Sequence, residues 1–229
     1  MAVELLRAIN NYIGLSTDVK PTADIDTGSV FTESDTGEDF KFNGTSWFRS
    51  SPRRDRSTAV QMSIDYAHHE AHEGSMYHAH VSAAGGAATK ATISFTTPNT
   101  AKWFHVVFFY RSNVEALFTM GEGATVTAAS GTDYKARNRN RNIADASTAI
   151  SAGSAGGATF VTEGGTVTNF GTVIDGDHFG SGQKTGGGDR SSNEWVLKQN
   201  TTYAFEIESQ AVNSEVGLAL TWYEHTDHS

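Results

Sequence analysis

The stretch from Trp195 to Tyr223 constrains the chain more than any other. Tyr203, Phe205 and Ile207 alternate with Ala204, Glu206 and Glu208, a period of two that gives a strand one apolar and one wetter face. Val216, Leu218, Leu220 and Trp222 repeat the pattern against Gly217, Ala219, Thr221 and Tyr223. Before the first alternating run, Gln199-Asn200-Thr201 supplies the side-chain hydrogen bonding that turns favour. The spacing predicts strand, tight turn, strand, loop and strand: a hairpin, then a strand that closes a finished sheet.

A chain of 229 residues can hold one large β domain, alone or with a small appendage. The 13 Phe, 7 Tyr and 4 Trp can build its core, since each buries a large apolar area. With 23 Gly and 3 Pro, the composition suits many turns and argues against long helices. A net charge of −9 opposes sequence-independent binding of nucleic acid, because phosphate is repelled. The absence of cysteine removes disulfides, thiolate chemistry and Cys-based zinc sites. No run approaches the ~18 apolar residues of a membrane span, and the amino terminus lacks the pattern of a secretory signal. The expectation is a soluble, intracellularly made β protein.

Near the start, Leu5, Leu6, Ile9 and Ile13 stand close to helical spacing, with Gly14 as a stop. This is either a short amphipathic helix or an arm that orders on a partner. Val30–Glu33, Phe40–Phe42 and Thr45–Phe48, separated by Thr36-Gly37 and Asn43-Gly44, predict a small three-stranded meander. Ser51 to Arg56 reads as a basic linker, a solvated loop or an anchor on an acidic neighbour. From Ser57 the strands come at short intervals, beginning with Val60, Met62 and Ile64. Trp103 to Tyr110, apolar apart from His105, predicts a central strand covered on both faces. Residues 142–193 hold about half of the 23 glycines and read as a long excursion, with strand character only at Thr159–Thr162 and Thr166–Ile174.

Candidate chemistry is sparse. His68, His69 and His72, with Glu70 and Glu73 nearby and His78 and His80 further on, combine imidazole and carboxylate as a divalent ion would require. Yet His69 and His72 are only three apart, which is not the metalloprotease spacing. A polar turn or subunit contact is the preferred reading, with a pH-responsive contact as a further one. Arg137, Arg139 and Arg141 alternate with Asn138, Asn140 and Asn142. On an extended strand their guanidinium groups share one face, either guarding a sheet edge or forking onto carboxylates of a sister subunit. No glycine group forms a phosphate cradle, no nucleophile elbow is present, and nothing singles out a pair of carboxylates for glycoside hydrolysis.

Two stretches carry a resemblance. Ser16–Thr22, continuing through Gly28–Gly37 to Phe42-Asn43-Gly44-Thr45-Ser46-Trp47, looks like a short module common in tailed-bacteriophage virion proteins. Leu197–Tyr203 and Trp222–Asp227, together with His68-His69-Glu70 and Glu73-Gly74, are similar to a family of phage head-associated structural proteins. Those resemble decoration or cement proteins and head fibres, typically all-β and often trimeric. The resemblance touches both ends and the strand framework but not the stretch from Ala144 to Arg190, and none of its motifs is catalytic.

The expected fold is therefore all-β: an antiparallel β-sandwich or jelly-roll-like domain over residues 57–229, preceded by an arm and small meander over residues 1–56. The resemblance implies a non-enzymatic capsid decoration or cement protein on the virion surface, without cofactor. Its implied partners are the major capsid protein and copies of itself, as a trimer, with no nucleic acid and no membrane. Trp47, Phe48, Arg53 and Arg54 are the expected contacts with the shell or a neighbouring copy, and Arg137, Arg139 and Arg141 the expected subunit contacts. The alternatives are a tail or fibre component touching the host, a carbohydrate-binding sandwich, and a metal-dependent hydrolase built on His68, His69 and His72.

Overall fold

Alternating apolar strands reach a low free energy by pressing their apolar faces together. A computed structural model describes residues 9–52, 65–152, 161–180, 184–187 and 193–226. It divides into two units, Met1–Asp65 and Tyr66–Ser229.

In the first unit, β1 (Asn11–Gly14), β2 (Val30–Glu33), β3 (Asp39–Phe42) and β4 (Trp47–Arg49) form one sheet in that order. The last three strands are the expected meander. Asn43 Oδ1 accepts the N–H groups of Thr45 and Ser46 at 2.9 and 2.8 Å, closing the turn between β3 and β4. The segment expected as a helix or arm is different over its described part. β1 runs parallel to β2, with Asn11 opposite Val30 and Gly14 opposite Glu33. Pairing with an available strand satisfies its main chain and outweighs the loose helical spacing of its apolar residues. Leu5, Leu6, Arg53, Arg54 and the strand expected at Val60, Met62 and Ile64 lie outside the described residues.

Trp47 is the hub of this unit. Its ring meets those of Tyr12, Phe31 and Phe42 at centroid distances of 6.0, 5.9 and 5.3 Å. Its indole N–H donates to the Pro21 carbonyl at 2.6 Å. Beside this cluster, Lys20 Nζ lies 2.7 Å from Glu33 and 4.3 Å from the centre of the Phe40 ring. The hydrogen bond from Lys20, followed by that from Thr36, holds the Glu33 carboxyl below its ordinary range.

The second unit opens with its one described helix, α1 (Tyr66–Glu73), and continues through β5 (Met76–Gly85), β6 (Lys90–Thr96), β7 (Lys102–Ser112) and β8 (Ala116–Glu122). The shorter strands β9 (Thr125–Val126), β10 (Thr132–Tyr134), β11 (Arg137–Asn138), β12 (Val161–Glu163) and β13 (Val167–Asn169) follow. Then come β14 (Thr172–Phe179), β15 (Lys184–Gly187), β16 (Trp195–Leu197), β17 (Thr202–Ser209) and β18 (Ser214–Thr226). One sheet has the order β10-β12-β6-β17-β8-β14, and the other β11-β5-β18-β7-β15, with β16 also on β7. The unit is an antiparallel all-β sandwich, as its alternation requires.

The core is where the two inner faces meet. Phe95 stacks on Phe104 and Trp222 across the gap at 5.9 and 5.7 Å, and Phe118 on Phe108 and Tyr110 at 4.8 and 4.4 Å. Tyr203, Phe205 and Ile207 from β17, and Val216, Leu218, Leu220 and Trp222 from β18, are all buried here. Both alternating runs thus point as expected, but the hairpin does not form. β16 pairs with β7, whereas β17 sits between β6 and β8 in the opposite sheet. Gln199-Asn200-Thr201 is a corner between sheets, held in part from outside its own strands. Thr201 N–H donates to Thr97 Oγ1 at 3.1 Å and Lys198 N–H to the Tyr203 hydroxyl at 2.9 Å. Both edges of β17 are taken by longer partners, so nothing is left for β16. Three described strands of the glycine-rich excursion join the sandwich, β12 beside β6, β14 beside β8 and β15 beside β7, while β13 pairs with β9 in a separate two-stranded sheet.

Candidate functional site

β18 is the middle strand of its sheet, and its outward positions alternate with the buried ones. At mid-strand the side away from the core carries Gly217, Ala219 and Thr221, all with small side chains, of which Ala219 is not buried. The flanking strands carry larger groups at the same level. Gly217 stands between Arg111 on β7 and Ser82 on β5, and Ala219 between Phe109 and His80. Thr221 stands beside His78, which faces Arg137 on β11. Small residues flanked by large ones make a trough along β18, its walls two strand spacings apart, roughly 10 Å.

Two adjoining cavities follow from this. One of about 330 Å³ is lined by His80, Ser82, Phe109, Arg111 and Ala219 among others, and one of about 440 Å³ by His78, Phe109, Thr221 and the three arginines. Phe109 lines both. It is 50% exposed, although it lies in the apolar run expected to be covered on both faces. The inner side of β7 meets that expectation; the outer side at Phe109 does not. Helix α1 covers only the far end of this face, where Tyr66 packs at 5.7 Å on Tyr223 and on His225.

The arginine ladder is replaced by a cluster. Only Arg137 and Asn138 are in strand, on the sheet edge beside β5. The chain then folds back on Asp145. Its carboxylate accepts from Arg137 Nη1 at 2.8 Å, from Arg141 Nη1 at 2.9 Å and from Asn138 N–H at 2.7 Å. These bonds, the main-chain one foremost, bring the Asp145 pKa down to about 2. The buried Asn138 amide locks the loop by donating to the Gly74 carbonyl at 2.6 Å. Arg139 Nη1 lies 3.7 Å from Met76 Sδ. Arg137 and Arg141 share the Asp145 carboxylate and Arg139 lies beside Met76, which gathers three guanidinium groups at this corner of an acidic chain. At the other end of the trough, Arg111 meets Glu215 at 3.4 Å. Burial, then the proximity of His80 and Arg139, holds His78 below the ordinary imidazole value.

The first histidine cluster lies on α1, so His68 and His72 share a face, with Nε2 atoms 2.9 Å apart. His69 is 3.6 Å from Glu70 and 3.9 Å from Glu73. Among the described residues no three His, Asp or Glu side chains are placed to hold one metal ion. A second pair, His105 and His225, joins neighbouring strands with Nε2 atoms 2.7 Å apart, and Tyr223 stacks on His105 at 4.6 Å. Its members are distant in sequence, and only strand register reveals them.

Trp47 and Phe48 are neighbours in sequence but differ in surroundings. Trp47 is half-buried in the aromatic cluster of the first unit, and Phe48 is 49% exposed. Sequence reasoning did not single out Phe109, Arg111 or the floor of the trough. Its one available signal is the set of small residues at alternate positions of β18. No described helix is long and apolar enough to cross a membrane. No known protein family, curated protein or solved structure matches the chain.

Proposed function

We propose that this is a structural protein of a tailed-phage virion, which decorates or cements the head by binding the major capsid protein as a homotrimer. The first unit supplies the observation that carries this reading. It leaves Ile13 76%, Val19 93%, Phe48 49%, Ile9 52% and Leu15 48% exposed. Positions 9, 13 and 15 share one side of an extended chain, so they present apolar side chains that a shell surface can cover. In this reading the sandwich forms the oligomer and faces outward.

The strand order lends support. The main strands run β5-β18-β7-β15 in one sheet and β6-β17-β8-β14 in the other, and among them the chain changes sheet at every step except from β8 to β14. We read this order as jelly-roll-like, an architecture used in capsid and lectin domains. The mechanism is mechanical: many copies each cover a junction between shell subunits, and the contacts sum through multivalency.

The test mixes purified protein with capsids that lack it and follows cosedimentation, with solution mass measured in parallel. Saturable binding of a trimer is expected. A trimer that stays in the supernatant would overturn the capsid assignment, and a monomer would overturn the oligomer.

A further inference from the structure

We propose that the trough along β18 is a binding site for an acidic glycan, a single sugar chain bearing carboxylates of the uronic-acid type. The shell contact is assigned to the first unit and the trough lies on the sandwich, so cosedimentation tests the one and glycan titration the other; Arg137, Arg139 and Arg141, expected above as subunit contacts, are here assigned to the ligand.

Three features point to the ligand. The first is shape: the floor is open at Ala219, between Phe109 and His80 about two strand spacings apart, a width that suits a single chain. Gly217 is needed for the floor, because a Cβ there would stand 2.7 Å from Arg111 Nε, which lies over it. The second is the half-exposed Phe109 ring between the two cavities. It offers a flat apolar surface on which the C–H face of a pyranose can lie. The third is charge: Arg137, Arg139 and Arg141 line one end of the trough, the first and last sharing Asp145 and Arg139 lying beside Met76, and Arg111, paired with Glu215, stands at the other. A guanidinium group matches a carboxylate with two parallel hydrogen bonds, so a polymer with repeated carboxylates meets cations at both ends.

The same features disfavour other occupants. A peptide strand binds by adding to a sheet edge, where main-chain groups are free, but this site is a sheet face. A peptide lying across it leaves main-chain groups to be satisfied by side chains alone. The net charge of −9 acts against a nucleic acid and a polyuronate alike, so the titration below separates single-stranded DNA from the glycan. A glycan brings hydroxyls for Ser82, His80 and the arginines and needs no main-chain edge.

The experiment is calorimetric titration of the full chain with oligogalacturonate, carboxyl-reduced oligogalacturonate, poly-glutamate and single-stranded DNA. Oligogalacturonate is expected to bind, with its carboxyl-reduced form at least about tenfold weaker. Phe109→Ala and Arg139→Ala are each expected to weaken binding about tenfold, and Ala219→Phe, which fills the floor, to abolish it. Circular dichroism confirms that each variant is folded, and cosedimentation with capsids should not change for Phe109→Ala. Absence of oligogalacturonate binding, equal binding of the reduced form, or binding indifferent to Phe109→Ala and Ala219→Phe overturns the proposal. Tighter binding of poly-glutamate overturns it in favour of an acidic protein surface, and tighter binding of DNA in favour of a nucleic acid.

Discussion

Arg137 and Asp145 meet at 2.8 Å, joining the sheet edge to the far end of the loop that leaves it. The Asp145 carboxyl titrates at about 2 instead of 3.8, because its charged form is stabilised in the folded state. A depressed carboxylate contributes stability that is present above the unfolded value and lost as pH falls through the folded one. Asp145→Asn is therefore expected to lower the melting temperature by several degrees at pH 7, consistent with a loss of about 2 kcal/mol. The gap between parent and variant should close as pH falls from about 4 towards 2. Thermal melts of both proteins across that range are the check; a gap independent of pH removes the linkage.

Gly74 ends α1 with φ +79, and Ser75 N–H then reaches back to the Glu70 carbonyl at 3.1 Å. That is a left-handed helix stop, where a Cβ is disfavoured. A Cβ at this position also stands 2.4 Å from Ile143 Cδ1, the mobile end of a side chain that is 40% exposed. Gly74→Ala is expected to cost about 1–2 kcal/mol in urea unfolding. Adding Ile143→Ala should recover the steric part and leave the backbone part, about 1 kcal/mol. Full recovery in the double variant would show that backbone strain contributes nothing.

The inner faces of β17 and β18 are readable from sequence because a period of two fixes which side chains share a face. What that period cannot specify is the partner strand. A turn such as Gln199-Asn200-Thr201 serves equally as a hairpin or as a corner between sheets. The distant contacts from Thr97 and Pro98 decide it. Helix α1 was illegible for another reason: its sequence, Tyr-Ala-His-His-Glu-Ala-His-Glu, has no apolar stripe, and its buried side chain is Glu70. The trough needed register as well. Gly217, Ala219 and Thr221 become a floor only once Arg111, Phe109, His80 and His78 are placed beside them.

Trp47 and Phe48 separate stability from binding. Trp47→Ala removes the ring that joins Tyr12, Phe31 and Phe42, at a cost of about 3 kcal/mol to the first unit. It should make residues 9–52 sensitive to limited proteolysis while the sandwich melts as before. Phe48→Ala, at a position 49% exposed, should leave stability within about 0.5 kcal/mol. Under the capsid proposal Phe48→Ala nevertheless weakens cosedimentation. A Phe48→Ala protein that binds capsids like the parent would remove Phe48 from the contact.

Glu224 is 2% exposed at the inner end of β18, and four donors converge on it. Ser147 Oγ and Thr148 Oγ1 each donate at 2.6 Å, and Thr148 N–H and Trp222 Nε1–H each at 3.0 Å. This one carboxylate ties the segment after Asp145 to the sandwich, next to the bridge between Ile150 and Thr96. Replacing it with Ala leaves the indole and a main-chain N–H unsatisfied in a buried place, at an expected cost of about 3 kcal/mol. Glu224→Gln keeps the shape but turns an N–H₂ group towards donors, so it should recover at most half of that. Hydrogen exchange localises the effect, because loss of the tether should speed exchange at Thr148 and Ile150 well before the strand amides of β17. Uniform acceleration across the sandwich would mean that Glu224 supports the whole core and not this segment.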